Sequence, residues 1–349
     1  MNKKNPFQPN CGRINKVREF LKKKKGGCFL TFNPSNIFYL TGISEVEGIL
    51  AITEKKVDLF VPELCFYQAI DSNKNIQIHK YNEDDLINFL DDFKKTFFIS
   101  TEISYLTYLK ISKRTKRQFV PAENIFISLR SIKDEKEIEL IKEAKKITEK
   151  TLDEIYNFIQ KENKFTELDL LGEIKYLLNK NGAESESFEP IVASGIYSSY
   201  PHHKAKNKII EKGEVIVVDI GADFCGYKSD LTNTFFYGDV SDEIKNVYKI
   251  VKDVREIATE YIYEKKQKGK IRGKDVHQKA ITIFKKYNLE KYFIHSLGHG
   301  VGIDIHEKPN LSPGSNDIIE KGNVFTIEPG VYMHKKFGIR LEQMVILKN

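Results

Sequence analysis

Four carboxylates and one histidine in the C-terminal half of the chain are candidates for metal chemistry. The acids form two pairs along the sequence, Asp219 with Asp230 and Glu328 with Glu342, and His299 lies between the pairs in Leu-Gly-His-Gly-Val-Gly. Oxygen-rich ligation with one imidazole and no thiolate suits Mn²⁺, Co²⁺, Fe²⁺ or Zn²⁺. In this order, the five residues favour a pair of divalent metal ions, a centre typical of hydrolases.

The first pair of acids is predicted to lie on a β-hairpin. Asp219 follows an apolar run, where an unpartnered carboxylate is costly to bury. Gly226 lies near the middle of the segment between the aspartates and supplies the permissive backbone that a tight turn needs. A turn centred between Phe224 and Cys225 would place Asp219 and Asp230 opposite each other, with Cβ atoms about 4.5–5.5 Å apart. Two like charges at that distance repel unless a cation lies between them.

The second pair of acids repeats this arrangement. Glu328 leads into a Pro-Gly pair, Glu342 follows a Phe-Gly pair, and their midpoint is Lys335 within a turn-like stretch. Two hairpins that each present two carboxylates can close on one site, to which His299 would add the single nitrogen ligand. The sequence therefore predicts a dinuclear metal site built from two β-hairpins.

Two different patterns of elements must position these residues. In the first part of the chain, short apolar runs alternate with helical spacing, which indicates a small α/β domain that ends near Pro121. Its predicted strands are 28–32, 48–53, 57–61, 76–80 and 97–100, and its predicted helices are 84–95 and 105–116.

The second part is predicted to be α+β around an antiparallel sheet. An amphipathic helix is expected over 134–161, and a second helix is expected to begin near Thr166, whose Thr-Glu-Leu-Asp sequence resembles a capping box. Further helices are expected at 241–263 and 273–286. The predicted strands are 191–194, 215–220, 231–237, 324–328 and 339–347.

Composition limits the classes of partner and compartment. The chain has 349 residues and a formal net charge of +7, but acidic residues are interleaved with the lysines, so a solvated surface is expected instead of a nucleic-acid site. No stretch reaches the roughly 20 apolar residues of a membrane span. The opening residues lack the apolar run of a signal peptide, and the cysteines form no Cys-x-x-Cys pair. We therefore expect a cytoplasmic protein with no nucleic-acid or membrane partner.

These motifs resemble those of the pita-bread metallopeptidases, the family of aminopeptidase P, prolidase and methionine aminopeptidase. The resemblance implies five metal ligands: Asp219 in Val-Asp-Ile-Gly-Ala, Asp230 in Lys-Ser-Asp-Leu-Thr, His299, Glu328 in Ile-Glu-Pro-Gly and Glu342 in Ile-Arg-Leu-Glu. It implies two divalent metal ions as cofactors, with Mn²⁺ preferred and Co²⁺, Fe²⁺ or Zn²⁺ as alternatives.

The resemblance also covers the first part of the chain. Asn36-Ile-Phe-Tyr-Leu-Thr-Gly resembles the opening motif of the creatinase-type N-terminal domain, and Arg130-Ser-Ile-Lys-Asp-Glu-Lys-Glu resembles the stretch that leads into the catalytic domain. The implied organisation is a creatinase-like α/β domain at residues 1–123, followed by an α+β pita-bread catalytic domain at residues 124–349. The family also implies a homodimer.

The remaining histidines are assigned by the same resemblance. His202, in Tyr-Pro-His-His, matches a histidine that lines the substrate site, and His295 and His306 match the pair on either side of the metal histidine in the proline-directed peptidases. His203 and His334 match no family position, so both are expected on the surface.

The function implied is that of an aminopeptidase P, which hydrolyses Xaa-Pro bonds at the N-termini of proline-containing peptides with a hydroxide that bridges the metals. In this scheme Glu328 is both ligand and proton shuttle, and His295 or His306 donates to the developing oxyanion. His202 would position the substrate, and Arg340 would orient Glu342 or a nearby acid.

Three alternatives stay open at this point. An Xaa-Pro dipeptidase, or prolidase, would differ from an aminopeptidase P chiefly in the loops that close the far side of the cleft. A non-catalytic peptide-binding module on the same fold typically has lost metal ligands, and creatinase-like hydrolysis needs no metal. The complete set of five ligands disfavours the last two alternatives.

Overall fold

Two compact units make up the chain, Met1–Leu129 and Arg130–Asn349. The computed structural model describes residues 11–44, 46–73, 75–91, 95–116, 119–122 and 124–348. The opening residues, whose lack of an apolar run suggested that there is no signal peptide, lie outside these ranges, and the domain boundary between residues 123 and 124 stays a prediction. Within these ranges, no helix has both the length and the apolar character that crossing a bilayer requires.

The first unit is an α/β domain on one mixed sheet, as predicted. Its strands are β1 Gly26–Thr31, β2 Ile49–Thr53, β3 Val57–Val61, β4 Gln77–Lys80, β5 Thr96–Ile99 and β6 Phe119–Pro121. They lie in the order β4-β3-β2-β1-β5-β6. The pairs β1–β2 and β2–β3 are antiparallel and the other three are parallel.

Helices alternate with these strands along the chain, and the sequence patterns predicted only some of them. The helices are α1 Cys11–Lys23, α2 Pro34–Thr41, α3 Phe66–Ser72, α4 Glu83–Asp91, α5 Tyr105–Thr115 and α6 Asn124–Ser131, with a 3₁₀ turn at Glu63–Cys65. Of these, only α4 and α5 were predicted, and the predicted helix at 84–95 extends into residues 92–94, which lie outside the described ranges. The helix α2 begins after Asn33, whose side chain accepts from the N–H of Asn36.

The second unit combines four long helices with twelve short strands among the described residues. The helices are α7 Glu135–Lys161, α8 Glu167–Asn181, α9 Asp242–Lys268 and α10 Gly273–Lys286, with 3₁₀ turns at Gly195–Ser199 and Glu290–Tyr292. The strands are β7 Ser185–Glu186, β8 Ile191–Ser194, β9 Glu214–Ile220, β10 Ala222–Phe224, β11 Tyr227–Lys228, β12 Leu231–Tyr237, β13 Gly298–Gly300, β14 Glu307–Leu311, β15 Val324–Ile327, β16 Gly330–Met333, β17 Phe337–Arg340 and β18 Gln343–Ile346.

Every strand pair recorded in the second unit is antiparallel, which confirms the predicted α+β class. The apolar stripes of α9 and α10 join one hydrophobic core with the strands β15 and β18, through Val254, Ile262, Phe284, Phe325 and Val345. Burial of this apolar area holds the sheet that carries the second pair of acids.

Helix α7 holds the hairpin that carries the first pair of acids. The helix begins with a capping box in which Asp134 and Glu137 accept each other's backbone N–H. Three turns later, the buried hydroxyl of Thr148 accepts from the N–H of Ala222 at 3.1 Å and lies 2.8 Å from the hydroxyl of Ser229. These contacts fix both arms of the hairpin against the helix.

The register of the first hairpin differs from the prediction. Asp219 lies opposite Thr232, and the ladder continues to Phe224 opposite Tyr227. The turn is therefore centred one residue later than expected, between Cys225 and Gly226, which have φ angles of 51° and 77°. Two positive φ values are typical of a type I′ turn. The prediction that Asp219 faces Asp230 directly was wrong, because this turn offsets the two acids by one diagonal step.

The register of the second hairpin agrees with the prediction. Strands β16 and β17 pair around a turn at Lys335, and the outer strands β15 and β18 continue the same register with Ile327 opposite Gln343. Glu328 and Glu342 therefore lie opposite each other in the gap between the two ladders. The predicted single strand at 339–347 is interrupted at this gap.

We predict that Cys225→Asn stabilises the protein. Asn is tolerated in the left-handed region better than Cys, so the gain should be on the order of 0.5 kcal/mol, or roughly 1–2 °C in the midpoint of thermal unfolding. Cys225→Ser is the matched control, because Ser is not enriched in the left-handed region as Asn is and should not show this gain. A lower midpoint for Cys225→Asn would contradict the proposed turn conformation.

Candidate active site

Three of the predicted ligands form a compact group in the second unit. Asp230, His299 and Glu342 each offer one ligand atom, and these atoms all lie within 4.8 Å of one another. The fourth, Glu328, has Oε1 3.5 Å from Nε2 of His299, and Asp230 Oδ2 lies at the same distance from that nitrogen. All four side chains line one cavity of about 1160 Å³.

Asp219 lines the same cavity and has one unsatisfied oxygen. Its Oδ2 accepts from Nη2 of Arg340 at 2.6 Å. Its Oδ1 is buried and has no hydrogen-bond partner among the described residues. A buried carboxylate oxygen without a donor is costly. This oxygen is therefore suited to be a ligand of a cation. The structure thus brings together all five sequence-predicted ligands.

The tautomer of His299 places a lone pair beside the carboxylates. Nδ1 of this ring lies 3.1 Å from the carbonyl oxygen of Gly300, which can only accept, so Nδ1 carries the proton. Burial lowers the pKa of His299 to about 4, so the ring is neutral at neutral pH. Nε2 therefore presents a lone pair to the oxygens of Asp230 and Glu328. Acceptors that face one another in this way need a shared cation.

The carboxylates also crowd one another electrostatically. Burial raises the pKa of Glu328 to about 8, and the charge of Asp219 adds to the rise. Burial followed by the charges of neighbouring carboxylates raises the pKa of Asp230 and of Glu342 well above the ordinary values. Divalent cations would reverse these shifts, because they favour the ionised form of every ligand.

Tyr332 and Arg340 connect Asp219 to His295 in a directed chain of hydrogen bonds. Arg340 donates from Nη2 to Asp219 and from Nη1 to the hydroxyl of Tyr332 at 2.8 Å. His295 has Nδ1 2.7 Å from the carbonyl of Ser296 and Nε2 3.0 Å from the Tyr332 hydroxyl. Burial lowers the pKa of His295 to about 4, so its Nε2 accepts from Tyr332. Arg340 thus contacts Asp219, so of the two options in the prediction, Glu342 or a nearby acid, the structure favours the nearby acid.

Sequence reasoning missed Tyr332, and it also missed Thr232. The Thr232 hydroxyl donates to Oε2 of Glu342 at 2.7 Å and accepts from Nε of Arg340 at 3.2 Å. Asp230 immediately precedes β12, and Thr232 follows it by two residues, the spacing that places side chains on the same side of an extended chain. That spacing was the available signal. No such spacing identifies Tyr332, because its role depends on His295, which is distant in the sequence and approaches it only in the folded structure.

The other predicted histidines differ in their surroundings. His202 and His306 line the cavity and are exposed to it, and the His306 ring centroid lies 4.3 Å from that of His299. His334 is exposed, as predicted. The surface assignment of His203 was wrong: this residue is 7% exposed and its Nε2 lies 2.8 Å from Oε2 of Glu167.

Glu167 explains why His203 is buried. Its fully buried carboxylate also accepts from the N–H and the hydroxyl of Ser194 and from the N–H of Lys206. The carboxylate thereby fastens both ends of the segment that carries His202. Nothing in the sequence signalled this role, because an acid in the first turn of a helix is ordinarily a solvated dipole partner.

Comparison with known families decides the class of this site. The sequence model of metallopeptidase family M24 matches residues 139–349, which is more than half of the chain. The chain belongs to metallopeptidase family M24. The creatinase/prolidase N-terminal domain matches residues 13–132. The M24 chain is therefore a metal-dependent hydrolase with the pita-bread fold, which confirms the family resemblance.

The similarity of this M24 peptidase to known relatives spans nearly its whole length. It is 32% identical over 338 residues to an Xaa-Pro dipeptidase of Pyrococcus horikoshii, covering 96% of this chain and 94% of the relative. It is 32% identical over 347 residues to a putative Xaa-Pro aminopeptidase of Mycoplasma genitalium, with 96% and 94% coverage. The crystal structure of the prolidase from Pyrococcus horikoshii has a TM-score of 0.89 at 31% identity, covering 97% of this chain and 95% of that chain.

We predict that Asp230→Ala removes bound metal and lowers the peptidase activity more than roughly 100-fold, because a ligand should cost more than the residues that merely orient ligands. Metal content by atomic emission and peptide hydrolysis provide the measurements. Asp223→Ala is the matched control, since Asp223 lies on the same hairpin but pairs with Lys228 at 2.7 Å. Full metal occupancy in Asp230→Ala would remove Asp230 from the ligand set.

The raised carboxylate pKa values predict a pH-dependent stability of the metal-free protein. Between about pH 6.5 and pH 8, Glu328 holds its proton when folded but is ionised when unfolded. The folded state then binds more protons, so stability falls as pH rises through this window. The lowered histidine pKa values act only below their ordinary 6.5. Denaturation at a series of pH values should show the decline, and saturating Mn²⁺ should abolish it. A flat profile without metal would refute the crowding described above.

Proposed function

We propose that this protein is a dinuclear-metal exopeptidase that hydrolyses Xaa-Pro bonds at peptide N-termini, as aminopeptidase P does. The observation that carries the proposal is the convergence of four carboxylates and a neutral imidazole on one cavity that leaves a buried Asp219 oxygen without a donor. Relatives named Xaa-Pro dipeptidase and putative Xaa-Pro aminopeptidase support the specificity for proline.

The metal ligands in this proposal are Asp219, Asp230, His299, Glu328 and Glu342. Bound divalent cations would supply Lewis acidity and a nucleophile from water at neutral pH. Glu328 would take a proton from the water at its carboxylate and deliver it to the proline nitrogen. The Xaa-Pro bond is a tertiary amide without an N–H, so the departing nitrogen depends on a donated proton of this kind.

His306 is better placed than His295 to donate to the developing oxyanion. Both nitrogens of His295 are engaged, one by the carbonyl of Ser296 and the other by Tyr332. His306 is exposed to the cavity next to His299, and its ring is left available for a substrate oxygen. His202, on the segment held by Glu167, would position the substrate. The native metal, with Mn²⁺ preferred, the homodimer and the cytoplasmic location remain predictions.

An Xaa-Pro dipeptidase is the second candidate, because relatives with that name match nearly the full length of the chain. A dipeptide carries its carboxylate close to the scissile bond and needs a cation there. The only lysine or arginine side chains that line the described cavity are Arg340 and Lys204. Arg340 is already committed to Asp219 and Tyr332, so Lys204 is the group available to a dipeptide carboxylate.

We predict that the wild-type protein, reconstituted with Mn²⁺, cleaves both Xaa-Pro-Yaa-Zaa peptides and Xaa-Pro dipeptides, with the longer peptides preferred. Lys204→Ala should raise KM for the dipeptides about tenfold, the amount expected for a lost charge-assisted contact, and leave KM for the longer peptides within about twofold. Steady-state kinetics on the two peptide series, after chelation and re-addition of Mn²⁺, Co²⁺ or Zn²⁺, provide the measurement.

Lys206→Ala is the matched control, because its ammonium lies over the Tyr197 ring, 4.6 Å from the ring centroid, and is not among the groups that line the cavity. Activity restricted to dipeptides would favour the dipeptidase. Absence of hydrolysis of any proline peptide by the metal-loaded protein would refute the proposed function altogether.

A further inference from the structure

A cluster of buried charges lies beside His306 in the sequence but outside the metal site. The carboxylate of Glu307 accepts from Nζ of Lys133 at 2.8 Å and from Nη2 and Nε of Arg130 at 2.6 and 3.2 Å. Arg130 also pairs with Asp304. The side chains of Lys133, Glu307 and Arg130 are only 1%, 5% and 9% exposed.

Stability alone is a weak explanation for this cluster. The cost of removing a buried lysine and a buried glutamate from water is large, and apolar residues of the same volume often stabilise a core equally well. What a buried, multiply bonded carboxylate does provide is a fixed geometry for the backbone that surrounds it.

The cluster fixes the segment that carries His306. Oε1 of Glu307 accepts from the N–H of Asp304 at 3.1 Å, and the N–H of Gly302 donates to the carbonyl of Asp304 at 3.1 Å. Glu307 packs so closely on Gly302 that a Cβ at that position would collide with the carboxylate. The turn 302–307 is thus wound around one carboxylate, and His306 leaves this turn into the cavity.

The cationic side of the cluster is itself anchored to the start of the strand that leads to Glu328. The N–H of Lys133 donates to the carbonyl of Gly322 at 2.9 Å, and Asn323 donates from its side chain to the carbonyl of Ser131 at 2.8 Å. Gly322 and Asn323 lead directly into β15, which ends one residue before Glu328. Contacts through Glu307 and Lys133 therefore connect the turn that carries His306 to β15, the strand that precedes the predicted ligand Glu328.

We propose that Arg130 and Lys133 are positioning residues that act through Glu307 to hold the His306 ring at the proposed oxyanion site. Neither cation lines the cavity, so neither touches the substrate. The proposal rests on the proposed function in one respect, the assignment of His306 as the donor.

The test is a double-mutant cycle between Lys133 and His306. Lys133→Met should lower kcat roughly 10- to 100-fold, the loss expected when a catalytic group is displaced by about 1 Å, with KM and metal content within about twofold. In the His306→Ala background the same substitution should lower kcat less than about twofold, because the group it positions is gone. Lys133→Arg, which keeps the charge, should recover much of the rate.

Lys245→Met serves as the control, since Lys245 pairs with Asp239 at 2.7 Å on an exposed surface away from the cavity. A second readout does not need activity: in protein labelled at histidine, the His306 ring resonance, identified by its loss in His306→Ala, should shift or broaden in Lys133→Met but not in Lys245→Met. Equal losses of kcat in both backgrounds, or an unchanged His306 resonance, would overturn the proposal. A wild-type protein inactive on every peptide, with the resonance still responding to Lys133→Met, would refute the proposed function and leave the positioning role supported.

Discussion

Mutual repulsion among four carboxylates, three of them buried and the fourth, Glu328, only 16% exposed, is the constraint on which the rest of the catalytic unit depends. Unit charges a few ångströms apart in a partly desolvated cavity interact by several kcal/mol. Of the four carboxylates, Asp219 is the one that the guanidinium of Arg340 contacts directly. The neutral His299 adds another lone pair to the cavity. The fold nevertheless holds these groups together. Bound cations would offset the repulsion between the carboxylates.

The two hairpins meet this constraint in different ways. In the first, a tight turn at Cys225 and Gly226 sets a diagonal offset between Asp219 and Asp230. In the second, the ladder is interrupted so that Glu328 and Glu342 lie opposite each other without strand pairing of their own. Thr232 donates to Oε2 of Glu342 and Arg340 donates to Oδ2 of Asp219, so the second oxygen of each of these carboxylates would be available to a metal ion.

The sequence was informative where chemistry is encoded locally. Apolar periodicity located all four long helices of the second unit and six of its twelve described strands, β8, β9, β12, β15, β17 and β18, because those elements bury one continuous face. The symmetry of Glu328 and Glu342 about Lys335 predicted the second register, since both ladders share one centre. The midpoint between Asp219 and Asp230 did not predict the first register. The turn requires a positive φ at Cys225, and a cysteine gives no indication of this conformation, whereas Asn or Gly would. His203 and Tyr332 acquire their roles from Glu167 and Arg340, whose proximity is a property of the tertiary structure.

In the proposed function, the cavity holds a pair of divalent cations bound by all five residues. Anomalous scattering from crystals grown with Mn²⁺ would locate these cations. We expect two peaks roughly 3.5–4 Å apart, as in other two-metal hydrolytic sites, with the free oxygen of Asp219 in contact with one of them. A cavity without anomalous density at saturating Mn²⁺, or peaks that leave Asp219 and Glu342 uncoordinated, would refute the proposed two-metal centre.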